Sequence, residues 1–192
     1  MALVDRVKNI ILTPKTEWEV IDAEPATVGD LYKGYIIPLA AIGPIAQAIG
    51  FSVFGMPVPF LGTYRTPVGA AVTSAVITYV LMLIGVYVLA LIIDALAPTF
   101  GGTRSQIQAL KVAAYSYTPA WVAAIFGLIP VLSWLSILGI YSLYLLYLGL
   151  PVLMKTPKEK ALPYTAVVII VAIVLSILIA MVATSFMRVP MG

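Results

Sequence analysis

The feature that most constrains this chain is a run of twenty-four residues, Tyr164 to Met187, without one charged side chain. A second run, Val68 to Leu96, extends over twenty-nine residues and carries a single charge, Asp94. About 20 apolar residues in helical form match the hydrocarbon thickness of a bilayer. Inside lipid every backbone amide must be satisfied within its own helix or in a closed barrel, and these runs lack the ten-residue alternation of barrel strands. Of the 192 residues 62% are hydrophobic and 10% charged, against about 25% charged in a soluble domain. Such a chain cannot cover itself in water. The expected fold class is an all-α integral membrane protein, a five-transmembrane-helix bundle with short amphipathic N-terminal helices on the cytoplasmic side.

The spans are predicted at about 35–54, 68–96, 107–126, 131–154 and 164–187, so that residues 31–192 form the membrane domain behind an N-terminal segment, 1–30. Pro38, Gly43, Pro44 and Gly50 predict a first span that is kinked and buried against partners, with Gln47 as its one strongly polar side chain. Gly55 to Pro67 reads as an extracytoplasmic loop. The third span is the least hydrophobic and carries Gln108, Lys111, Tyr115, Tyr117 and a central Pro119, so it faces other helices more than lipid. Thr103-x-x-Gln106 matches a capping box that would open it.

At the N-terminus Leu3, Val4, Val7, Ile10 and Ile11 recur at helical spacing between Asp5, Arg6, Lys8 and Asn9. An amphipathic helix over residues 2–12 is expected, lying on the membrane surface or packed with the helix after it on the cytoplasmic side of the bundle. The same charges interrupt a run too short for a secretory signal. Pro14 is well placed to start a second short helix, and Trp18 is expected at headgroup level. Charge then sets orientation. With the N-terminus in the cytoplasm, nine basic residues fall inside (Arg6, Lys8, Lys15, Lys33, Arg104, Lys111, Lys155, Lys158, Lys160) and two outside (Arg65, Arg188). That bias predicts a cytoplasmic N-terminus and an external C-terminus.

The chain has no cysteine and no histidine, which removes thiol nucleophiles, imidazole bases and Cys/His metal sites. Six of its eight acids precede the first span, leaving Asp94 and Glu159, so an intramembrane carboxylate pair cannot be built within one protomer. No catalytic residue, metal or cofactor is implied. Asp94 remains a candidate because charge near hydrocarbon is costly, with Arg104 and Lys111 as its expected partners. Gly101-Gly102-Thr103-Arg104 precedes a helix and could offer amides and a guanidinium to an anion such as a lipid phosphate, or serve only as a turn and cap. Tyr141, Tyr144 and Tyr147 recur every three residues and could form a polar seam with Tyr115, Ser116, Tyr117 and Thr118. Lys155, Lys158 and Lys160 form a basic cluster and, with Arg104, are the candidate contacts for lipid headgroups.

Asp94, Phe100-Gly-Gly102, Ala114-Tyr-Ser-Tyr-Thr-Pro119, Pro130, Tyr141-x-x-Tyr144-x-x-Tyr147-x-Gly149-x-Pro151 and Met154-Lys155-x-Pro157 together resemble the Yip domain family. The resemblance covers most of the chain, from the Pro14 and Trp18 segment to the fifth span. It implies a five-span domain with a cytoplasmic N-terminus and a noncatalytic role in membrane organisation or trafficking, through partner proteins and self-association. Eukaryotic members interact with Ypt/Rab GTPases, but this chain lacks their extended acidic N-terminal region, so that contact is not carried over. Its compactness is similar to prokaryotic members, which implies an inner-membrane location. The expected partners are membrane lipids, anionic ones included, further copies of the chain, and a membrane or cytoplasmic protein, with no nucleic acid. The alternative is a small transporter or channel whose route is lined by the kinked first span, the tyrosine seam and Asp94.

Overall fold

A computed structural model of the chain describes residues 2–58 and 62–187. Helices α1 (Leu3–Leu12) and α2 (Pro14–Ala23) form an N-terminal hairpin about Thr13. Pro14 occupies the first turn of α2, where its missing amide costs nothing. Helix α3 (Val28–Phe54) is the first of membrane length. Thr27 caps it reciprocally: its hydroxyl accepts from the Asp30 amide and its own amide donates to the Asp30 carboxylate, each at 3.1 Å.

Helix α3 is far from uniform. Wide π turns at Tyr32–Ile36 and Gly50–Phe54 flank α-helical pieces at Ile37–Ala40 and Ile42–Ile49. Pro38 and Pro44 cannot donate to the carbonyls of Gly34 and Ala40, so the ladder is interrupted near each. A methyl on Gly43 would approach Ala124 Cβ to 3.1 Å, and one on Gly50 would run into the backbone of Gly127 and Leu128. The proline interruptions that the sequence predicts are therefore present, with Ile36, Ala40, Gly43 and Pro44 buried against neighbours and Ile45, Ile49 and Val53 exposed. The loop beyond it contains a short antiparallel pair, β1 (Met56–Val58) and β2 (Gly62–Tyr64), with Met56 opposite Tyr64.

Helix α4 (Val68–Leu96) is unbroken and continues through a 3-10 turn, Ala97–Phe100. Helices α5 (Gln106–Ser116) and α6 (Thr118–Ala123) follow, and 3-10 turns carry the chain through Ala124–Leu128 and Pro130–Ile140 into α7 (Tyr141–Leu153). Helix α8 (Lys158–Met187) completes the described chain. Arg188, one of the two basic residues assigned to the outside, lies outside the described residues.

Four helices among the described residues are long and apolar enough to cross a membrane: Val28–Phe54, Val68–Phe100, Pro130–Leu153 and Lys158–Ala183. The sequence predicts five, and the difference lies in the third. Its α-helix stops at Ser116 and restarts at Thr118. Pro119 has no amide for the Tyr115 carbonyl, and the Thr118 hydroxyl takes that acceptor instead at 2.7 Å. The capping box predicted at Thr103 is also absent. Ser105 holds the N-cap position of α5 without a side-chain bond, while the Thr103 amide donates to the Met154 carbonyl at 2.7 Å.

Helix α5 lies at the centre, every residue from Ala109 to Ser116 being buried. Its alanines let α4 and α7 approach closely, as small residues do between membrane helices. Helix α8 runs antiparallel along α4, with Ile179 against Gly85 and the Tyr164 hydroxyl donating to the Ile93 carbonyl. Val68, Val72, Val76 and Val80 on α4, and Ile170, Ile173 and Ile177 on α8, stand exposed in stripes. An apolar surface of that extent marks contact with lipid.

Candidate functional site

The ionisable groups gather at the end of the bundle that carries the N-terminal hairpin. Arg6, 4% exposed, forms ion pairs with Glu17 and Glu24, and its guanidinium stands 5.6 Å from the Tyr115 ring centre. Burial opposes the charge on Arg6, but the Glu24 hydrogen bond and the fields of Tyr115, Glu24 and Glu17 outweigh it, so its pKa lies above the ordinary value. Lys111, equally buried, donates to the carbonyls of Ile21 at 2.8 Å and Glu24 at 2.6 Å. Gln108 donates to the Asp22 carboxylate at 3.0 Å, and Lys155 pairs with the same carboxylate at 2.5 Å. The end of α2, where carbonyls lack helical donors and the dipole is negative, thus receives two lysines and an amide.

Aromatic packing completes the attachment. Trp18 is fully buried, and a methyl on Gly149 would lie 2.7 Å from its ring, so glycine is what lets α2 lie flat on α7. The Trp18 and Tyr35 rings meet the Tyr115 ring edge-on at 6.3 and 4.5 Å. The Tyr35 hydroxyl lies 2.6 Å from Thr118 Oγ1. Since the Thr118 proton goes to the Tyr115 carbonyl, Tyr35 must be the donor. Of the two arrangements open to the N-terminal helices, packing on the bundle is the one found: Trp18 is buried in it, and α1 is held against α2 and the bundle through Arg6 and Ile10. The apolar periodicity of α1 could not distinguish a lipid surface from a protein one.

Asp94 meets Arg104 as predicted, its Oδ2 accepting from Nε at 3.2 Å and lying 3.1 Å from the second nitrogen. Lys111 does not join them, being committed to α2. The predicted anion cradle does not form. The amides of Gly101, Gly102 and Thr103 donate to the carbonyls of Pro98, Ala97 and Met154, leaving none of the three for a ligand. The two glycines serve the chain itself. Gly101 has φ +72°, and a methyl on Gly102 would come 2.6 Å from both the Met154 carbonyl and Thr156 Oγ1.

The tyrosine seam is likewise redistributed. The Tyr141 hydroxyl donates to the Ile11 carbonyl at 3.0 Å, while Tyr144 and Tyr147 are 41% and 38% exposed. None of the three bonds to Tyr115, Ser116, Tyr117 or Thr118. Lys158 and Lys160 are exposed, the latter beside Gly101. The residues that sequence reasoning missed are Arg6, Glu17, Trp18, Tyr35 and Gly149. Gly149 lay within the quoted Tyr/Gly/Pro pattern and could have signalled close approach, whereas no spacing rule joins Arg6 to Glu17.

At the opposite end α3, α4, α6 and α8 enclose a cavity of about 980 Å3, with Gln47, Thr78, Met82, Tyr117, Trp121 and Ser176 on its walls. Asp94, Tyr141, Tyr144 and Tyr147 do not line it. The groups expected to mark a solute route are therefore not brought together.

The chain is 27% identical over 184 residues to the inner membrane protein YohC of Escherichia coli K12, covering 93% of this chain and 94% of that one. The protein of the same name from Escherichia coli O6:H1 matches equally. No solved structure matches. An apolar helical chain and a match of residues 8–181 to the Yip1 domain place this integral membrane protein in the Yip1 family.

Proposed function

We propose that this chain is a noncatalytic membrane protein that organises the bilayer or adapts partner proteins, presenting its N-terminal hairpin as a preformed platform. The observation that carries this reading is where the ionisable groups are spent. Glu17, Asp22, Glu24 and Asp94 are each in ion pairs that tie one element to another, and Lys111 is spent on backbone carbonyls. Asp5, Glu19 and Glu159 are left at the surface. Among the described residues no nucleophile and base are brought together, which supports the noncatalytic reading.

The platform is two-sided. Its inner face is the buried Arg6, Ile10, Trp18 and Ile21. Its outer face shows Val4, Leu12 and Val20 among Asp5, Lys8, Lys15 and Glu19, an apolar surface with charges of both signs suited to a membrane interface or a protein surface. In this reading the hairpin faces the cytoplasm, the C-terminus lies outside, and the α5 to α7 segment crosses the membrane twice, giving five crossings. The crossing is supported by Gly50, whose neighbours are Gly127 and Leu128, so the turn after α6 lies level with the far end of α3. Of the four basic residues singled out for lipid headgroups, Lys158 and Lys160 have no carboxylate partner among the described residues, whereas Arg104 and Lys155 do.

Crosslinking in native membranes followed by mass spectrometry tests the proposal. Crosslinks from Lys8 and Lys15 to another protein, or to a second copy, are expected. A chain that stays solitary under every crosslinking condition overturns it.

A further inference from the structure

The cavity between α3, α4, α6 and α8 takes no part in the hairpin network, and its walls limit what can fill it. Its volume of about 980 Å3 stands at the top of the roughly 300–1,000 Å3 in which proteins hold small ligands. It is long as well as large. The α4 wall runs from Ala70 to Val86, roughly 24 Å at about 1.5 Å per residue, against about 15 Å for half a hydrocarbon core.

Water is a poor occupant. The hydroxyls of Thr73 and Ser176, both on the wall, donate to the carbonyls of Gly69 and Ala172 in their own helices, at 2.9 and 2.8 Å. What remains is chiefly Ala, Met, Leu, Ile and aromatic surface, and apolar hollows stay dry. The same stretches of α4 and α8 carry the exposed Val72, Val76, Ile173 and Ile177 on their outer faces. The hollow therefore lies at the level of lipid tails.

The Ser74, Thr78 and Tyr117 hydroxyls lie along the wall, and its one amide lies toward one end. The Gln47 carboxamide lines the cavity two turns from the end of α3 and bonds to no other described residue. Thr66 borders the hollow, and Arg65 beside it is exposed, unpaired among the described residues, with its stem next to Gly55. A guanidinium, then an amide, then apolar wall is the order of a phosphate, a glycerol ester and an acyl chain.

We propose that this cavity binds one phospholipid, its acyl chain between α4 and α8, an ester carbonyl at Gln47 and its phosphate at Arg65. The lipid belongs to the leaflet remote from the N-terminal hairpin. The site is defined by the bundle and holds whether or not the hairpin recruits a partner.

The full chain, reconstituted in phosphatidylethanolamine and phosphatidylglycerol vesicles with a photoactivatable, clickable phosphatidylglycerol, provides the test. Label should concentrate on Thr78, Met82 and Ser176 and be sparse on Val76 and Val80. Ala75→Phe fills the hollow and should lose the label, whereas Val76→Phe, one residue on and facing lipid, should keep it. Arg65→Gln should lower labelling by the phospholipid but leave labelling by a photoactivatable diacylglycerol, which has the chains and esters without the phosphate. Label spread evenly over the lipid-facing belt in the wild-type protein overturns the proposal, as does label that survives Ala75→Phe in a protein with unchanged elution and circular dichroism. Chain-to-chain crosslinks through Thr78 or Ser176 in place of lipid label also overturn it, and assign the hollow to a second copy. The wild-type map decides alone if Ala75→Phe does not fold.

Discussion

Arg6 sits among groups that have no other way to be satisfied. Glu17, with a side chain 5% exposed, would be a buried charge without it. Removing one partner of such a pair costs about 3–5 kcal/mol, because the other charge is stranded. Arg6→Leu is therefore expected to lower unfolding free energy in detergent by about that amount. Arg104→Ala removes a pair whose arginine is 63% exposed, and less than about 1 kcal/mol is expected from the same denaturant titration. The two pairs also differ in legibility. Asp94 and Arg104 bracket one short turn and had to meet on one side of the membrane. Arg6 had six acids within the first thirty residues to choose from, and only the angle between α1 and α2 selected Glu17 and Glu24.

The elements are shaped by a few positions at which the backbone is interrupted or brought close. Thr118 repairs the gap that Pro119 opens in the third segment and accepts the Tyr35 proton. Thr118→Val leaves Tyr35 and the Tyr115 carbonyl without partners, for which a loss of about 1–3 kcal/mol is expected, and Thr118→Ser should restore most of it. Gly149 sets the distance between α2 and α7. Gly149→Ala forces the Trp18 ring outward, with an expected cost of about 1–3 kcal/mol and faster tryptic cleavage after Lys8 and Lys15 as the hairpin loosens. The proline-interrupted pieces of α3 were legible in advance, because the missing amides of Pro38 and Pro44 are a local matter. The break at Tyr117 was less so: Pro119 announced it, but how far the helix would resume depended on packing by α3 and α7.

For the whole molecule, the basic residues with described contacts (Arg6, Arg104, Lys111, Lys155 and Lys160) gather around the hairpin, while Arg65 stands at the other end by Gly55. That sorting agrees with retention of positive charge on the cytoplasmic side. A tag fused after Gly192 is expected to be modified only by reagents applied from outside the cell. Modification from the cytosol would mean an even number of crossings and would remove the proposed double crossing by the α5 to α7 segment.

Apolar length and charge spacing are local properties, so residue order alone determined that this is a helical membrane protein and which acid meets Arg104, but it placed the starts of the first and last long helices at 35 and 164 where they begin at Val28 and Lys158. The docking of α1 and α2 was decided only in three dimensions, since an amphipathic face buries equally well against lipid or protein. Gly149, Tyr115 and Lys111, more than eighty residues downstream of α2, supplied the surface that won. The cavity has the same origin, for no stretch of sequence records the space left where four helices fail to touch.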